Sequence, residues 1–300
     1  QSKETGFSAE SVDLVYGQDT IGAELNRDDD THVTYTITEA DAAAPGNKTQ
    51  FNGVTVNSDG TLHVAWEKVQ FENPVRVWAV VEKDNYNPVT DSYLVNLQKA
   101  TAAFSFEQQQ IVLTYGDADV TNRVAFSNQD GVQFELEYSS SAPDKVSVDP
   151  VSGKITALDV AQGVVISAKS KENDFYQETT QTFTVNVEPR TLQLEGAVAQ
   201  DREYNRTVYV ALQWNQAALV GILGQDDVSL APDQLPVEGS VRSMSVGTYP
   251  VVVDVSQIQL QGADAGKYDL TGVLKDTQVT ISRRSVSIDP QSLQIKDKKY

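Results

Sequence analysis

The side chains that most often catalyse reactions are scarce in this chain. It contains two histidines, His32 and His63, which both lie in strand-like segments, and it has no cysteine. The lack of cysteine excludes disulfides, thiolate metal sites, iron–sulfur clusters and cysteine nucleophiles. The sequence also lacks G-x-S-x-G, G-x-G-x-x-G and Walker-type loops. A Ser-His-Asp mechanism is therefore unavailable beyond residue 63, and we predict that the two histidines face solvent on their strands.

Carboxylates are the remaining catalytic option, because the chain has 42 acidic residues. Glycoside hydrolysis needs two carboxyl groups that face each other across a cleft. Small sandwich domains rarely have room for such a cleft, and with this many acidic residues some pairs arise by accident. We therefore predict a protein that is not an enzyme, with no catalytic and no cofactor-binding residues.

Aspartates also cluster in ways that could suit calcium, which prefers about six to eight oxygen ligands. In "GADAGKYD" we favour turn chemistry instead: Asp264 fixes the turn, Gly266 takes the unusual backbone dihedral and Tyr268 packs back into the sandwich. Calcium stays open as an alternative, and no residue is assigned as a metal ligand. The carboxylates concerned are Asp28, Asp29, Asp30, Asp226, Asp227, Asp264 and Asp269.

Two other kinds of site stay open. A Lys–Asn isopeptide crosslink could replace disulfides, and Lys99 and Lys169 lie near strand segments, although no signature identifies a pair. Tryptophans could form a sugar-binding platform, but packing in the core is their commoner role because each ring buries a large apolar area. An exposed pair would favour the platform. The tryptophans are Trp66, Trp78 and Trp214.

The charge of the chain restricts its partners. The net charge is −19, with a pI of about 4.4, which argues against nucleic acid or anionic lipid as a partner. No apolar run approaches the roughly 18 to 20 residues needed to cross a bilayer. We predict a self-repelling surface, a monomer, and no membrane insertion in this segment.

Repeated motifs indicate the elements that position these side chains. A first tyrosine marker recurs at intervals of roughly 90 to 100 residues, the size of one small β-sandwich. A second marker stays in step with it, in a polar turn before an alternating apolar segment. Two glycine turns between short strands, at Gly60 and Gly153, form a third correspondence. The first marker is Tyr16, Tyr115, Tyr204 and Tyr300, and the second is Tyr86, Tyr176 and Tyr268.

These markers predict an all-β protein of three tandem β-sandwich domains with the start of a fourth unit at the C-terminus. Segments such as "HVTYTI" alternate with a period of two, which is typical of strands. The helix-permissive stretches "TEADAAA" and "NQAALVGIL" are short, and we interpret the first as a loop excursion. Links such as "QKATA" and "VEPRT" are too short for much swing. The predicted boundaries are 7–99, 100–189 and 190–284, followed by 285–300 as the first strand of a truncated repeat.

Two families resemble these segments. Residues 1–189 resemble bacterial Ig-like repeats of cell-surface proteins, through "VSVDPVSGKITAL" and "NDFYQETTQTFTVNV". Residues 190–284 resemble the YDG-type repeat of large bacterial surface proteins, through "REYN", "GQDDVSL", "VGTYPVVV" and "LQGADAGKYDLTG". The family's Tyr-Asp-Gly reads Tyr204-Asn205-Arg206 here, a departure at the tight opening turn. The resemblance implies Ig-like sandwiches in an extracellular protein of the bacterial cell surface.

The function that follows is structural. We predict a non-catalytic, rod-like spacer in which neighbouring repeats of the same chain contact each other and project an adhesive region. The alternative is that the repeats themselves bind a glycan or a host matrix protein, since loops at sandwich ends can hold such a site. A binder should concentrate its irregular features in one repeat, and the insertion "TEADAAAPGNKTQFNG" at 38–53 is the segment where we expect them.

Overall fold

The computed structural model describes residues 5–18, 22–128, 130–287 and 289. These residues form β-strands joined by turns, with three short 3₁₀ turns and no α-helix among them, so the predicted all-β class is confirmed. No helix in this part of the chain is long and apolar enough to cross a membrane. We call the segments 7–99, 100–189 and 190–284 unit one, unit two and unit three.

Unit one is built around a four-stranded sheet, in the order β2-β9-β8-β4, which faces a three-stranded sheet, β5-β6-β7. The apolar positions alternate along these strands, and their inward side chains form one hydrophobic cluster. The strands are β1 (Gly6–Phe7), β2 (Ser11–Val15), β3 (Leu25–Asn26), β4 (His32–Glu39), β5 (Gln50–Phe51), β6 (Val54–Val56), β7 (Leu62–Val64), β8 (Val75–Glu82) and β9 (Val89–Gln98), with a 3₁₀ turn at Trp66–Lys68.

Unit two repeats this plan. Its four-stranded sheet has the order β12-β20-β18-β15, and a three-stranded sheet has the order β13-β17-β16. A second hydrophobic cluster lies within the unit. The strands are β10 (Ala100–Thr101), β11 (Phe104–Phe106), β12 (Gln110–Thr114), β13 (Val120–Thr121), β14 (Val124–Phe126), β15 (Leu136–Ser140), β16 (Val146–Val148), β17 (Lys154–Ala157), β18 (Ala161–Ser170), β19 (Tyr176–Gln177) and β20 (Thr180–Glu188).

Unit three pairs its strands into one longer array, in the order β22-β29-β26-β25-β23-β21-β28, around a third cluster. The stretch "NQAALVGIL" is not helical, because β23 runs through it as far as Val220. The strands are β21 (Arg190–Ala199), β22 (Arg202–Glu203), β23 (Tyr209–Val220), β24 (Ser229–Leu230), β25 (Glu238–Ser240), β26 (Gly247–Val252), β27 (Leu260–Gln261), β28 (Tyr268–Leu270) and β29 (Val273–Ser282), with 3₁₀ turns at Pro232–Gln234 and Ala265–Lys267.

The predicted glycine turns are confirmed. Strands β6 and β7 form an antiparallel hairpin through Gly60, and β16 and β17 form one through Gly153. Both glycines have positive φ, 88° and 68°. An added Cβ would lie 2.8 Å from the ring of Tyr35 at Gly60 and 2.7 Å from the ring of Tyr138 at Gly153. Glycine therefore serves both the turn and the close packing of a tyrosine over it.

Other sequence features have varied outcomes. The stretch "TEADAAA" is the end of β4 followed by a loop, as the excursion interpretation predicts. The links between units are shorter than predicted: only Lys99 separates β9 from β10, and only Pro189 separates β20 from β21. Tyr300 and most of the predicted strand at 285–300 lie outside the described residues.

Candidate functional site at the junctions between units

The first tyrosine marker occupies the same place in each unit. A short strand near the start of the unit pairs in parallel with its last strand: β2 with β9, β12 with β20 and β22 with β29. The tyrosine follows the short strand and extends the ladder by one backbone hydrogen bond. The bonds run from Tyr16 N to Gln98 O at 2.9 Å, from Tyr115 N to Glu188 O at 2.9 Å and from Tyr204 N to Ser282 O at 3.0 Å. Each tyrosine therefore lies where the chain leaves its unit.

At the first junction, Tyr16 of unit one packs into unit two. Its ring stacks on Phe175 with centroids 4.7 Å apart and meets Tyr176 edge-on at 5.3 Å. Its hydroxyl donates to the Asp130 carboxylate at 3.2 Å. On its own side the ring contacts Trp66 at 5.7 Å. Aromatic side chains therefore connect the cores of the two units without a break.

At the second junction, Tyr115 of unit two contacts unit three in the same way. Its ring meets Tyr268 edge-on with centroids 5.6 Å apart. The Asp226 carboxylate accepts from Tyr115 at 3.0 Å and from Tyr268 at 2.5 Å. Lys267 Nζ lies 5.0 Å from the centroid of the Tyr115 ring, which adds a cation–π contact. Both junctions therefore pair a tyrosine of one unit with a tyrosine and an aspartate of the next.

The electrostatics of the junctions raise the pKa of the tyrosines at both and lower the pKa of the Asp130 carboxyl at the first. Burial, followed by the hydrogen bond to Asp226, raises the pKa of Tyr268 to about 12. Burial and the Asp130 carboxylate also raise the pKa of Tyr176. Burial also pushes the pKa of Asp130 upward, but hydrogen bonds from the Val132 amide, Tyr176 and Tyr16 outweigh it and leave that pKa below its ordinary value. At the first junction, two hydroxyl donors therefore face one charged acceptor near neutral pH, an arrangement suited to binding.

Backbone pairing reinforces each junction directly after the one-residue link. Ala100 pairs in parallel with Tyr176, and Arg190 pairs in parallel with Tyr268. Lys99 itself forms an ion pair with Glu172 at 2.6 Å, and Arg190 Nε donates to Gly221 O at 3.2 Å. The chain therefore enters the sheet of the next unit beside the tyrosine that receives the previous one.

The turn after each junction tyrosine requires a left-handed backbone. Gly17 and Gly116 supply it with φ of 81° and 83°. At Gly116 an added Cβ would lie 2.0 Å from Leu223 Cδ1, so unit three packs directly against the turn. In unit three the left-handed residue is Arg206, with φ of 67°. A left-handed turn thus forms after Tyr204 despite the departure from Tyr-Asp-Gly, with a non-glycine residue in the strained position.

The aspartate runs serve as turn and junction residues. Lys83 pairs with Asp28 at 3.3 Å and with Asp30 at 2.8 Å. Asp227 and Asp264 brace one another, because each side chain accepts from the backbone of the other's turn: Asp227 N to Asp264 Oδ2 at 3.0 Å, and Ala263 N to Asp227 Oδ2 at 3.1 Å. Within the described residues, no group of three His, Cys, Asp or Glu side chains could hold a metal ion.

The interpretation of "GADAGKYD" is partly corrected. Asp264 fixes the turn as predicted, and Lys267 lowers its pKa by a hydrogen bond. Gly266 does not take the unusual dihedral; it lies in the 3₁₀ turn Ala265–Lys267, and the positive φ of 112° belongs to Gly262. Glycine at position 262 also allows the backbone of Asp227 to approach closely, because a Cβ there would lie 2.1 Å from the Asp227 carbonyl oxygen. Tyr268 is buried, and its hydroxyl reaches Asp226 at the junction.

The remaining candidate side chains are dispersed. His32 and His63 are exposed on β4 and β7. Lys169 pairs with Glu178 at 2.8 Å. Trp78 is buried, Trp66 is half-buried at the first junction, and Trp214 donates its indole N–H to Pro236 O at 2.7 Å. The tryptophans therefore form no exposed pair in the part of the chain that the structure describes.

A polar cavity of about 550 Å³ opens beside the 38–53 insertion of unit one. Asn52 anchors its wall, with φ of 44° and its side-chain amide bonded to Gln70 O at 3.0 Å and Asn73 O at 2.6 Å. Its lining combines amides and charges with one aromatic ring: Glu39, Asp41, Phe51, Asn52, Lys68, Gln70 and Asn73.

Sequence reasoning identified the tyrosines but not the contacts that they make across the junctions. Asp130 and Phe175 were not predicted as junction residues, because neither belongs to a motif shared by all three units. The available signal was the regular alternation of the two tyrosine markers along the chain. Each first marker lies in the unit before the second marker that it contacts, as Tyr115 does with Tyr268.

Comparisons with known proteins give one family and several distant structures. Residues 188–279, which include most of unit three, match the family profile of the YDG domain. No curated protein matches the chain. Similar solved structures include Drosophila N-cadherin EC1-3, with 11% identity and a TM-score of 0.32 over 94% of this chain and 100% of that chain. Mouse cadherin-23 EC22-24 shares 13% identity, with a TM-score of 0.25 over 93% of this chain and 99% of that chain.

Proposed function

We propose that the chain is a non-catalytic, rod-like spacer of a bacterial cell-surface repeat protein, which projects an adhesive region outside the cell. One observation carries the proposal: the same contact of two tyrosines with one carboxylate is built at both junctions. The YDG match over residues 188–279 supports a repeat module of this kind. In this proposal the three units are separate domains with boundaries near 99 and 189, and their partners are neighbouring repeats of the same chain.

The mechanism is geometric. A one-residue link leaves little freedom of rotation, and the aromatic contact restricts what remains. An aromatic pair of this geometry contributes about 0.5 to 1.5 kcal/mol beyond the area that it buries. A hydrogen bond from each tyrosine to an ionised carboxylate adds directional restraint. Each unit therefore holds the next at a set angle, and the number of units sets the reach. The net charge of −19 favours a monomeric rod by self-repulsion.

Small-angle X-ray scattering of the 300-residue protein tests this function. We expect an elongated particle whose profile changes towards flexibility when Tyr16 and Tyr115 are both replaced by alanine. The Tyr209→Ala variant is the control, because Tyr209 is 59% exposed on β23. Circular dichroism must show that the units of the double variant are still folded. A compact parent protein, or a folded double variant with an unchanged profile, would contradict the spacer.

The second candidate function is glycan or matrix-protein binding by unit one. The polar cavity at the 38–53 insertion favours it, because carbohydrate recognition uses amide and carboxylate hydrogen bonds together with an aromatic face such as Phe51. Binding of the labelled protein to glycan and matrix-protein arrays, with calcium and with a chelator, tests it. A saturable signal that Asn73→Ala and Phe51→Ala abolish would support the candidate, and silence in both arms would remove it.

A further inference from the structure

The end of unit three carries an open cleft of about 840 Å³. Tyr204 forms its aromatic wall, and Val246, which is 51% exposed, adds an apolar edge. Three arginines line the rest: Arg206, Arg283 and Arg284, all exposed. On a chain with a net charge of −19, this concentration of positive charge marks a surface that fits an acidic partner.

Three residues of this cleft occupy positions that also contribute to the filled junctions. Tyr204 forms the same backbone hydrogen bond to the last strand as Tyr16 and Tyr115. Arg283 directly follows β29 as Lys99 directly follows β9, and Lys99 pairs with Glu172 of the next unit. Arg284 stands two residues beyond the strand, where Arg190 stands after β20.

The counterparts also define what is missing at Tyr204. In each filled junction the next unit supplies a carboxylate and a tyrosine, Asp130 with Tyr176 or Asp226 with Tyr268. The residue two beyond the last strand then pairs in parallel with that tyrosine, as Ala100 and Arg190 do. Tyr204 is half-buried and meets no such pair among the described residues.

We propose that the Tyr204 cleft is the docking surface for a further β-sandwich unit that presents one ionised aspartate and one protonated tyrosine. In the docked state the Tyr204 hydroxyl donates to the aspartate, and its ring meets the tyrosine edge-on. Arg283 pairs with an acidic residue at the place of Glu172, and Arg284 pairs in parallel with the tyrosine. This inference rests on the proposed spacer function and extends it to one specific junction.

A chain extended by one unit tests the inference. Residues 285–300 are replaced by a copy of residues 101–189, so that Arg283 and Arg284 stand at the places of Lys99 and Ala100. The protein has no cysteine, so two introduced cysteines carry spin labels without background. Val237 in unit three and Val151 in the copy suit the labels, because these side chains are 76% and 83% exposed. Double electron–electron resonance then measures the distance distribution across the new junction.

We expect one narrow distribution of label distances across the new junction of the extended chain. Tyr204→Ala should broaden it about twofold, because the aromatic contact that restricts the link is lost. Arg283→Glu should also broaden it, and replacing the copied Glu172 by lysine should restore the narrow form. Tyr209→Ala should leave the distribution unchanged. The charge swap keeps the test valid even if Tyr204→Ala fails to fold in circular dichroism.

The outcomes separate this inference from the proposed function. Labels at Val151→Cys in unit two and Val237→Cys in unit three measure the existing second junction in the same way. Two outcomes would overturn the inference alone, provided that the label distances across the second junction are narrowly distributed. The first is a broad distance distribution across the new junction. The second is a distribution across the new junction that neither Tyr204→Ala nor Arg283→Glu changes. A broad distribution at both junctions would overturn the spacer function as well.

Discussion

At the scale of single residues, the junction tyrosines combine a donor hydroxyl with a buried ring. Tyr176 and Tyr268 are each only 4% exposed, yet their hydroxyl groups reach a carboxylate of the same unit. That carboxylate also accepts from the tyrosine of the preceding unit. A buried hydroxyl without a partner would be costly, so the aspartate stabilises both the fold of its own unit and the junction.

The raised pKa of Tyr268 predicts an alkaline transition at the second junction. The pKa in the folded state is about 12, against an ordinary value of 10.0. The stability contributed by protonated Tyr268 is therefore fully present below pH 10 and is lost as the pH rises towards 12. We expect the Val151–Val237 label distance to broaden over this range. The Tyr268→Phe variant cannot ionise at this position, so its label distance should not broaden between pH 10 and pH 12. If the variant shows the same transition as the parent protein, ionisation of Tyr268 is not its cause.

We predict that replacing Arg206 by glycine stabilises unit three. Its φ of 67° is the conformation that glycine adopts without strain and that a Cβ makes unfavourable by about 1 to 2 kcal/mol. Arg206→Gly should therefore raise the free energy of opening of unit three by about 1 kcal/mol. Hydrogen exchange of the β29 amides measures it. Arg206→Ala is the control, because it removes the guanidinium but keeps the Cβ, and an equal gain from alanine would show that charge matters instead.

At the scale of elements, two glycines of unit two allow the cost of backbone strain to be distinguished from the cost of a side-chain clash. Gly153→Ala introduces a Cβ at a φ of 68° and 2.7 Å from the Tyr138 ring. Gly163 in β18 has nearly the same φ, 66°, but no atom lies within 4 Å of the added Cβ. Both substitutions should cost about 1 to 2 kcal/mol of backbone strain. Gly153→Ala should cost more in the hydrogen exchange of unit two, and an equal cost would show that the tyrosine moves away freely.

Sequence patterns predicted these elements where local chemistry determines them. The hairpins at Gly60 and Gly153 follow from a positive-φ turn between β-branched strands. The stretch "NQAALVGIL" was ambiguous by sequence, and its pairing with β21 makes it a strand. The Tyr115–Asp226 contact joins residues of different units, and no local pattern encodes the angle between two units. The tyrosine positions were therefore predictable, whereas their contacts across the junctions were not.

At the scale of the whole molecule, the reach of the chain depends on how each unit limits the next. Two of the contacts at the second junction limit its motion in different ways: the tyrosines with Asp226, and the turn at Gly116, which lies against Leu223. The contact of the tyrosines with Asp226 attracts the two units and so resists bending. The contact of Gly116 with Leu223 limits by steric contact how closely the units can approach each other. Tyr115 and Gly116 both lie in the turn that follows β12, which pairs in parallel with β20. The strands that close the sandwich of unit two therefore also set the angle between units two and three.

We predict that Gly116→Ala changes the angle between units two and three. The added Cβ would lie 2.0 Å from Leu223 Cδ1, so either the Leu223 side chain or unit three must shift to relieve the clash. We expect the Val151–Val237 label distribution to move and broaden. Gly17→Ala is the matched control, because its φ of 81° imposes the same backbone strain as the 83° of Gly116 but acts at the other junction. If both variants disturb the Val151–Val237 distance equally, the turn acts through the stability of the units. If only Gly116→Ala does, the contact with Leu223 sets the angle at which unit two holds unit three.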